Sequence, residues 1–184
     1  MYDAILKTVI LGDISTGKTT LVKRFITSVF DSNCFETIGV DCQTKDCKHN
    51  GMDLKLMIWD FAGQERFHYI FPEYLYGALG GLLMYDITNY SSFTHIGRWL
   101  SLIQETNQKF PIILLGAKLD LAGSREVPRK VGERVAESIG LNGFIECSSK
   151  TGENIELLFE TLMRLMINNM VINNKKTIEL EEIY

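Results

Sequence analysis

Short apolar runs alternate along this chain with longer segments in which apolar residues recur every three or four positions. The runs ILKTVIL, DLKLMIW, GGLLMYD, PIILLGA and GFIECS are typical of buried strands. The longer segments predict helices directly after the first strand, over residues 92–108 and over residues 128–139. The first of these helices has its apolar residues on one face: Leu21, Val22, Phe25, Ile26 and Val29.

A hairpin and a final helix complete the pattern. Asn50-Gly51 separates CQTKDCKH from DLKLMIW, which predicts two antiparallel strands joined by a tight turn. Near the end of the chain, Asn154 is predicted to be the N-cap of a helix whose apolar residues recur at helical spacing. These apolar residues are Ile155, Leu158, Phe159, Leu162, Leu165 and Met166.

The order of the elements indicates the fold class. Strands that alternate with helices favour right-handed crossovers and a parallel sheet. We therefore predict an α/β fold whose doubly wound, mostly parallel sheet has six strands, one of them antiparallel, with helices on both faces. No internal repeat or linker divides the chain, so we predict one domain over residues 1–167 and a tail over residues 168–184.

In such a sheet, ligands bind at the edge where the parallel strands end. Gly12, Asp60, Ala117 and Cys147 all lie at or just past the ends of predicted strands. This edge is therefore where the sequence predicts the chemistry.

Composition narrows the choice of protein class. The chain has 184 residues and a net charge of −4 with no basic block, which disfavours a nucleic-acid-binding protein. No apolar run approaches the length of about 20 residues that a membrane span needs, and MYDAILK is not a signal peptide. Cys34, Cys42, Cys47 and Cys147 show no framework spacing, which favours reduced thiols in the cytoplasm.

Cys42, Cys47 and His49 suggest a metal site only at first sight. On one extended strand Cys42 and Cys47 point to opposite faces because side chains alternate. No Cys-x-x-Cys pair supports them. We interpret the three as ordinary strand and turn residues.

The segment from Gly12 to Thr19 satisfies the pattern G-x-x-x-x-G-K-[ST] between a strand and an amphipathic helix. Such a loop turns its backbone N–H groups towards phosphate, and the helix N-terminus adds a partial positive charge. Lys18 is suited to reach the terminal phosphates, and the Thr19 hydroxyl is suited to Mg²⁺. The pattern predicts a P-loop NTPase with a nucleoside triphosphate site, but does not separate ATP from GTP. The other predicted nucleotide-binding residues of this loop are Asp13, Ser15, Thr16, Gly17 and Thr20.

A second segment, LMIWDFAGQERF, supplies polar groups at the end of the next buried strand. Asp60 is placed to hold Mg²⁺ through water, and Gly63 to give its N–H to a terminal phosphate. Gln64 is placed to orient an attacking water. The position of this segment, one strand after the hairpin and behind the phosphate loop, favours these roles over a simple turn.

These segments resemble those of small GTPases of the Ras superfamily, from about Leu6 to Met166. Within that range ETIGVD, LKLMIWD, AGQERF, YGALG and MYDIT are most similar to the Rab branch. The resemblance implies that Thr37 binds Mg²⁺ and the terminal phosphate in the first switch, and that Phe30 packs on the guanine edge. It implies that Gln64 in the second switch is the catalytic glutamine, with Lys18 and Thr37 acting beside it.

The same resemblance identifies the residues that read the base. Lys118 and Asp120 in GAKLD resemble the base-reading segment, and Asp120 would accept two hydrogen bonds from guanine N1 and N2 that adenine does not offer. The resemblance assigns the last loop, where a backbone N–H meets guanine O6, to Ser148, Ser149 and Lys150. The implied cofactors are GTP or GDP and Mg²⁺.

Two departures from the family pattern bear on affinity and on partner choice. Ala117 stands where the family has asparagine, and a buried group left without its partner costs about 1–3 kcal/mol. Either nucleotide affinity falls, or a water or Ser149 replaces the amide with little loss. Cys42 stands where Rab-like proteins have an aromatic of a surface triad with Trp59 and Tyr74, so inherited effector choice is in doubt.

A third departure is Ile14, which stands where the family has a small residue beside the terminal phosphate. A β-branched side chain is stiff, so we expect it to crowd Gln64 and any incoming arginine finger and to slow hydrolysis. The alternative is a slightly reshaped loop that tolerates Ile14 with normal hydrolysis. Binding, made mostly by backbone N–H groups and Lys18, is expected to change little.

The tail is the fourth departure. Rab-like chains end in prenylated cysteines, whereas no cysteine follows Cys147, and Lys175 and Lys176 are outnumbered by acids. Either the natural chain continues past Tyr184, or membrane attachment goes through a protein partner.

Three smaller expectations concern aromatic, proline and histidine residues. The second switch is rich in aromatic residues, of which Phe67 and Tyr76 are expected to pack beneath it. Pro72 is expected in the first turn of a short helix. The histidines are expected to face solvent without a catalytic role: His49, His68 and His95.

The sequence therefore predicts a cytoplasmic, monomeric molecular switch of a vesicle-trafficking type, peripheral to a membrane through a partner. GTP and Mg²⁺ order the switch regions, through which effectors, an exchange factor and an activating protein bind. One rival is a GTP-locked or hydrolysis-deficient scaffold, and another is a P-loop ATPase. Asp120 argues against the ATPase.

Overall fold

A six-stranded sheet forms the centre of the molecule. The structure is a computed structural model that describes residues 1–31 and 37–181, without the side chains of His68 and of residues 174–181. Its strands are β1 (Ala4–Gly12), β2 (Val40–His49), β3 (Met52–Phe61), β4 (Gly80–Asp86), β5 (Ile112–Ala117) and β6 (Gly143–Glu146). They lie in the order β2-β3-β1-β4-β5-β6, with β2 antiparallel to β3 and every other pair parallel. The predicted α/β class and the hairpin are confirmed.

Helices cover both faces of this sheet. They are α1 (Lys18–Thr27), α2 (Phe71–Leu75), α3 (Tyr90–Thr94), α4 (Ile96–Glu105), α5 (Arg129–Ser138) and α6 (Ile155–Glu181). Two 3₁₀ helices span Glu65–Ile70 and Leu119–Ser124. The prediction that Pro72 lies in the first turn of a short helix is confirmed by α2.

The single helix predicted over residues 92–108 is wrong, because two helices meet there. Asn89 caps α3 by accepting a hydrogen bond from the backbone N–H of Ser92. At the other end, the backbone N–H of His95 bonds back to Ser91 O and closes α3 before α4 begins. Apolar periodicity continues across the break, so the pattern alone did not reveal it.

The alternation of side chains along β1 divides the core into two layers. Leu6 and Ile10 face a cluster that contains α1 and α6, whereas Val9 and Leu11 face one that contains α2 to α5. In the first layer, the rings of α1 and α6 stack with centroids 3.7 Å apart, Phe25 on Phe159. The predicted apolar face of the first helix is confirmed except at Val29, which is exposed because α1 ends at Thr27.

The last helix has the buried face that the sequence predicts, with Leu165 partly buried. Asn154 precedes it with a φ of +60°, and its backbone carbonyl accepts from Leu158 N at 3.0 Å. Asn154 is therefore at the predicted N-cap position directly before α6, although its side chain donates to Glu146 O at 2.8 Å and does not cap the helix. Because α6 runs on to Glu181, the boundary at residues 167–168 lies inside a helix and stays a prediction.

The parity argument about the two strand cysteines is confirmed. Cys42 is exposed, whereas Cys47 packs against the first core layer. In the part of the chain that the structure describes, no helix is both long enough and apolar enough to cross a membrane.

Candidate functional site

The ends of the parallel strands bring the predicted polar residues to one edge of the sheet. Gly12 ends β1, Asp60 is the residue before the last of β3, Asp86 ends β4 and Ala117 ends β5. Cys147 follows directly after β6. The edge that the sequence predicted is therefore the place where two adjoining cavities open.

Lys18 occupies an almost buried niche at the start of α1. Gly17, with a φ of +97°, turns the chain into the helix, and Lys18 is 6% exposed. The Lys18 ammonium donates to the carbonyls of Gly12 and Asp13, each at 2.7 Å. Burial lowers the pKa of Lys18 to about 8, against the opposing carboxylates of Asp60 and Asp13. An anion bound in front of the ammonium would favour its charged form and raise this pKa.

Three oxygen-bearing side chains from different segments meet beside Lys18. Thr19 Oγ1 and Thr37 Oγ1 lie 2.7 Å apart. Thr37 donates to Asp60 Oδ2 at 3.1 Å, and Thr19 donates to the same oxygen. The structure thus brings together all three residues that the sequence assigned to the metal.

This cluster suits a hard cation. Asp60 is buried, and its Oδ1 has no hydrogen-bond partner among the residues the structure describes. Burial raises the pKa of Asp60, while hydrogen bonds from Thr19 and Thr37 and the charge of Lys18 oppose the rise. A carboxylate and two hydroxyls are ligands that Mg²⁺ accepts, alongside waters and phosphate oxygens. The residues present therefore fit Mg²⁺.

Two cavities adjoin at Gly17 and Thr20. The smaller, of about 130 Å³, contains the phosphate-loop and switch residues: Ile14, Ser15, Lys18, Thr19, Thr37, Phe61, Ala62, Gly63 and Gln64. The larger, of about 310 Å³, contains five of the residues predicted at the base: Phe30, Lys118, Asp120, Ser149 and Lys150. Its lining also includes Thr16, Asp31, Met84, Ala117 and Leu121. The division matches the predicted phosphate and base ends of one nucleotide site.

At the phosphate end, the second switch packs directly on the loop. A Cβ added to Gly63 would lie 2.2 Å from the backbone nitrogen of Ile14, so only glycine allows this approach. The Ile14 side chain is 45% exposed and lines the same cavity as Gln64. Ile14 and Gln64 therefore share one cavity, and crowding of the transition state stays a prediction.

At the base end, Asp120 is oriented by a buried hydroxyl. Ser148, fully buried, donates from Oγ to Asp120 Oδ1 at 2.6 Å. Ser148 reaches the site through this bond and does not line the cavity, whereas Ser149 and Lys150 do.

Lys118 is held by an acid that sequence reasoning missed. Its backbone has a φ of +64°, and its ammonium lies 2.6 Å from Asp86 Oδ2. The other oxygen of Asp86 accepts from Thr88 N at 2.8 Å and from Thr88 Oγ1 at 2.7 Å. The available signal was the position of Asp86 at the end of GGLLMYD, another strand end on the same edge.

Ala117 leaves an apolar wall in the larger cavity. The residue is buried, and the Met84 side chain lies beside it on the cavity surface. The terminal methyl of Met84 would lie 3.7 Å from a Cβ added to Gly17, so it packs beneath the phosphate loop. Neither Ala117 nor Met84 offers a strong hydrogen bond there.

Trp59 and Tyr74 form the aromatic pair that remains of the predicted surface triad. Their ring centroids lie 5.4 Å apart, and exposed Cys42 pairs with Trp59 across β2 and β3. Phe67 packs against the second core layer as predicted. The same prediction for Tyr76 is wrong, because Tyr76 is 75% exposed; its backbone carbonyl accepts a hydrogen bond from Lys7 Nζ at 2.6 Å.

The His95 side chain is 44% exposed, in line with the prediction that it faces solvent, but its ring also contacts the phosphate loop. Its Nδ1 lies 2.6 Å from Asp13 Oδ2, and Trp99 Nε1 donates to Asp13 Oδ1 at 2.7 Å. The Asp13 side chain therefore engages α4, while its backbone lies in the loop. His49 lies at the hairpin beside Asn50. The side chain of His68 and all of Cys34 lie outside the described residues.

Comparison with known proteins shows which family and which proteins this chain is similar to. A model described as the Ras family matches residues 7–168. The chain is 42% identical over 162 residues to Ras-related protein Rab-10 of Diplobatis ommata, covering 88% of this chain and 80% of that protein. It is 38% identical over 170 residues to Ras-related protein Rab-10 of Caenorhabditis elegans, covering 92% and 84%. It is also 38% identical over 175 residues to Ras-related protein SEC4 of Saccharomyces cerevisiae, covering 95% and 80%.

Proposed function

The chain belongs to the Ras family of small GTPases, and on that premise we propose that it is a guanine-nucleotide switch with slow hydrolysis. It binds GTP and GDP with Mg²⁺ at the edge where β1, β3, β4 and β5 end. Convergence of Thr19, Thr37 and Asp60 beside Lys18 carries the proposal.

The phosphate end supplies both charge and metal ligands. Lys18 binds the terminal phosphates, supported by the backbone N–H groups of the loop and the N-terminus of α1. Thr19, Thr37 and Asp60 would hold Mg²⁺, the threonines with their hydroxyls and Asp60 with its carboxylate. When bound, Mg²⁺ neutralises charge that develops on the phosphate oxygens.

Hydrolysis depends on Gln64, which orients the attacking water beside Gly63. Because Ile14 shares the smaller cavity with Gln64, its side chain crowds the transition state more than the ground state. An interaction that differs only in the transition state changes the rate without changing binding. The same observation supports a second candidate, a GTP-locked scaffold in which hydrolysis has been lost.

The base end selects guanine through Asp120, whose orientation Ser148 fixes. Phe30 packs on the base, and Ser149 and Lys150 close the last loop over it. The apolar wall at Ala117 and Met84 makes no polar contact with the base, so nucleotide release is faster than in relatives with asparagine at position 117.

The functional consequence of hydrolysis is a change in the protein surface that partners recognise. GTP and Mg²⁺ hold the segments around Thr37 and Gly63, and hydrolysis releases them. The monomeric switch recruits effectors, an exchange factor and an activating protein through these segments in vesicle-trafficking-like signalling. It works in the cytoplasm and reaches membranes through a protein partner.

The test begins with the nucleotide that copurifies with the protein. We expect GDP or GTP, displaced by either guanine nucleotide but not by ATP, and Mg²⁺-dependent single-turnover hydrolysis. Displacement of GDP by ATP as readily as by GTP would overturn the base assignment. Guanine binding with no turnover, even after Ile14→Gly, would favour the scaffold.

A further inference from the structure

The start of helix α4 contacts the phosphate loop through the Asp13 side chain, which lines neither nucleotide cavity. Both oxygens of the Asp13 carboxylate are engaged: Oδ2 by His95 Nδ1 at 2.6 Å and Oδ1 by Trp99 Nε1 at 2.7 Å. An ionised carboxylate only accepts hydrogen bonds, so His95 Nδ1 carries the proton and donates. The partners are 82 and 86 positions from Asp13 along the chain.

The two donors are themselves anchored. Trp99 is almost fully buried and stacks on Phe71 with ring centroids 6.0 Å apart. His95 lies at the junction of α3 and α4, where its backbone N–H bonds to Ser91 O. Trp99 is therefore a fixed donor, whereas the His95 side chain is 44% exposed and is positioned by the backbone of the helix junction. Together the two donors hold both oxygens of the Asp13 carboxylate.

The backbone of Asp13 is the part of the loop that the site uses. Its carbonyl accepts from Lys18 Nζ at 2.7 Å and from Thr16 Oγ1 at 2.9 Å. A Cβ on Gly63 would lie 2.4 Å from the carbonyl carbon of Asp13 and 2.2 Å from Ile14 N. The peptide between Asp13 and Ile14 is therefore the contact point between the loop and the second switch.

The same helix also contacts the second switch, next to Gln64. Arg98 of α4 forms an ion pair with Glu65, the residue directly after Gln64. The hydrogen bond from Arg98 to Glu65 raises the pKa of the guanidinium. Helix α4 thus contacts both the loop that carries Ile14 and the segment that carries Gln64.

From this geometry we infer that His95 and Trp99 are positioning residues for GTP hydrolysis. By holding the Asp13 carboxylate, they fix the peptide between Asp13 and Ile14 against Gly63, and so set the distance between the loop and Gln64. Neither residue touches the nucleotide. The inference rests on the proposed GTP hydrolysis at this site.

The test compares His95→Ala, which removes the donor, with His95→Asn, which keeps one at similar reach. His49→Ala, a histidine at the hairpin, is the matched control. Single-turnover GTP hydrolysis and GDP dissociation are measured in the parent and in an Ile14→Gly background, where turnover is expected to be faster. Trp99→Phe, which keeps an aromatic ring on Phe71, tests the second donor.

We expect His95→Ala and Trp99→Phe to lower the hydrolysis rate about 10-fold, as for other groups that orient a reacting residue. GDP dissociation should change less than about 3-fold, and His95→Asn should recover most of the rate. A histidine ¹H–¹⁵N spectrum of the GDP-bound protein should show His95 protonated at Nδ1.

Equal rates for His95→Ala and His49→Ala, or an unprotonated Nδ1 in His95, would overturn the inference and leave GTP hydrolysis intact. Absence of hydrolysis in both backgrounds would instead remove the proposed hydrolysis on which the inference depends. A fall in rate that His95→Asn does not restore would also count against a positioning role for the donor.

Discussion

The phosphate end and the base end of the proposed nucleotide site are formed by different types of residue. At the phosphate end, Lys18 and Asp60 are buried charged groups joined to their neighbours by short hydrogen bonds. At the base end, Ala117 and Met84 form an apolar wall in a larger cavity. Removing a partner from the first network leaves a buried polar group unsatisfied. At the second, we propose that the Asp120 carboxylate, which accepts from Ser148, selects the base.

The largest effect is expected from breaking the phosphate end at Asp60. Asp60→Ala removes the carboxylate that Thr19 and Thr37 share, so GDP dissociation should lose most of its dependence on Mg²⁺ and GDP affinity should fall about 100-fold. Asp41→Ala is the control because Asp41 pairs with Asp60 across β2 and β3 and is exposed. The measurement is the rate of GDP dissociation with and without a chelator of Mg²⁺. An unchanged response to Mg²⁺ in Asp60→Ala would disprove the metal assignment.

Breaking the base end at Asp120 should change which base is preferred. Asp120→Asn offers a donor to the 2-carbonyl of xanthine and loses an acceptor for guanine, a discrimination of roughly 1–3 kcal/mol. Competition of xanthosine against guanosine diphosphate measures it. Asp31→Asn, an acid that lines the same cavity, should keep the guanine preference; a matching shift in that control would refute the assignment.

Replacing Ile14 with a smaller residue tests whether its side chain affects the rate of GTP hydrolysis without affecting GTP affinity. Ile14→Gly and Ile14→Ala should each raise single-turnover hydrolysis about 10-fold and leave GTP affinity nearly the same. Gln64→Leu should then reduce the rate more in Ile14→Gly than in the parent. Ile139→Gly, at the end of α5, is the control. Parent and Ile14→Gly proteins with equal rates would show that the side chain does not obstruct Gln64.

The smallest effect is expected from restoring a polar wall at the base end. Ala117→Asn should slow GDP dissociation about 5-fold, since one hydrogen bond contributes about 1 kcal/mol. Met84 lines the same wall, so the variant is also made with Met84→Val to give the amide room. A dissociation rate that stays unchanged in both versions would mean that water or Ser149 already replaces the amide.

Much of the fold followed from local pattern. The phosphate loop, the hairpin at Asn50-Gly51 and the buried face of α6 each depend on residues close together in the chain, whose conformations are set by glycine, turn chemistry and periodicity. The parallel order of the strands then brought Thr19 and Asp60 to one edge. The sequence pattern did not reveal the break between α3 and α4 at His95, because the apolar spacing continues through it.

The sequence by itself therefore determined the α/β class, the phosphate loop and the residue types that suit Mg²⁺ and guanine. Only the tertiary structure decided that His95 and Trp99 hold Asp13, that Asp86 holds Lys118, and that Met84 lies beside Ala117. The physical reason is that each of these contacts joins different elements. Its existence depends on how strands and helices pack, and local spacing carries no information about that packing.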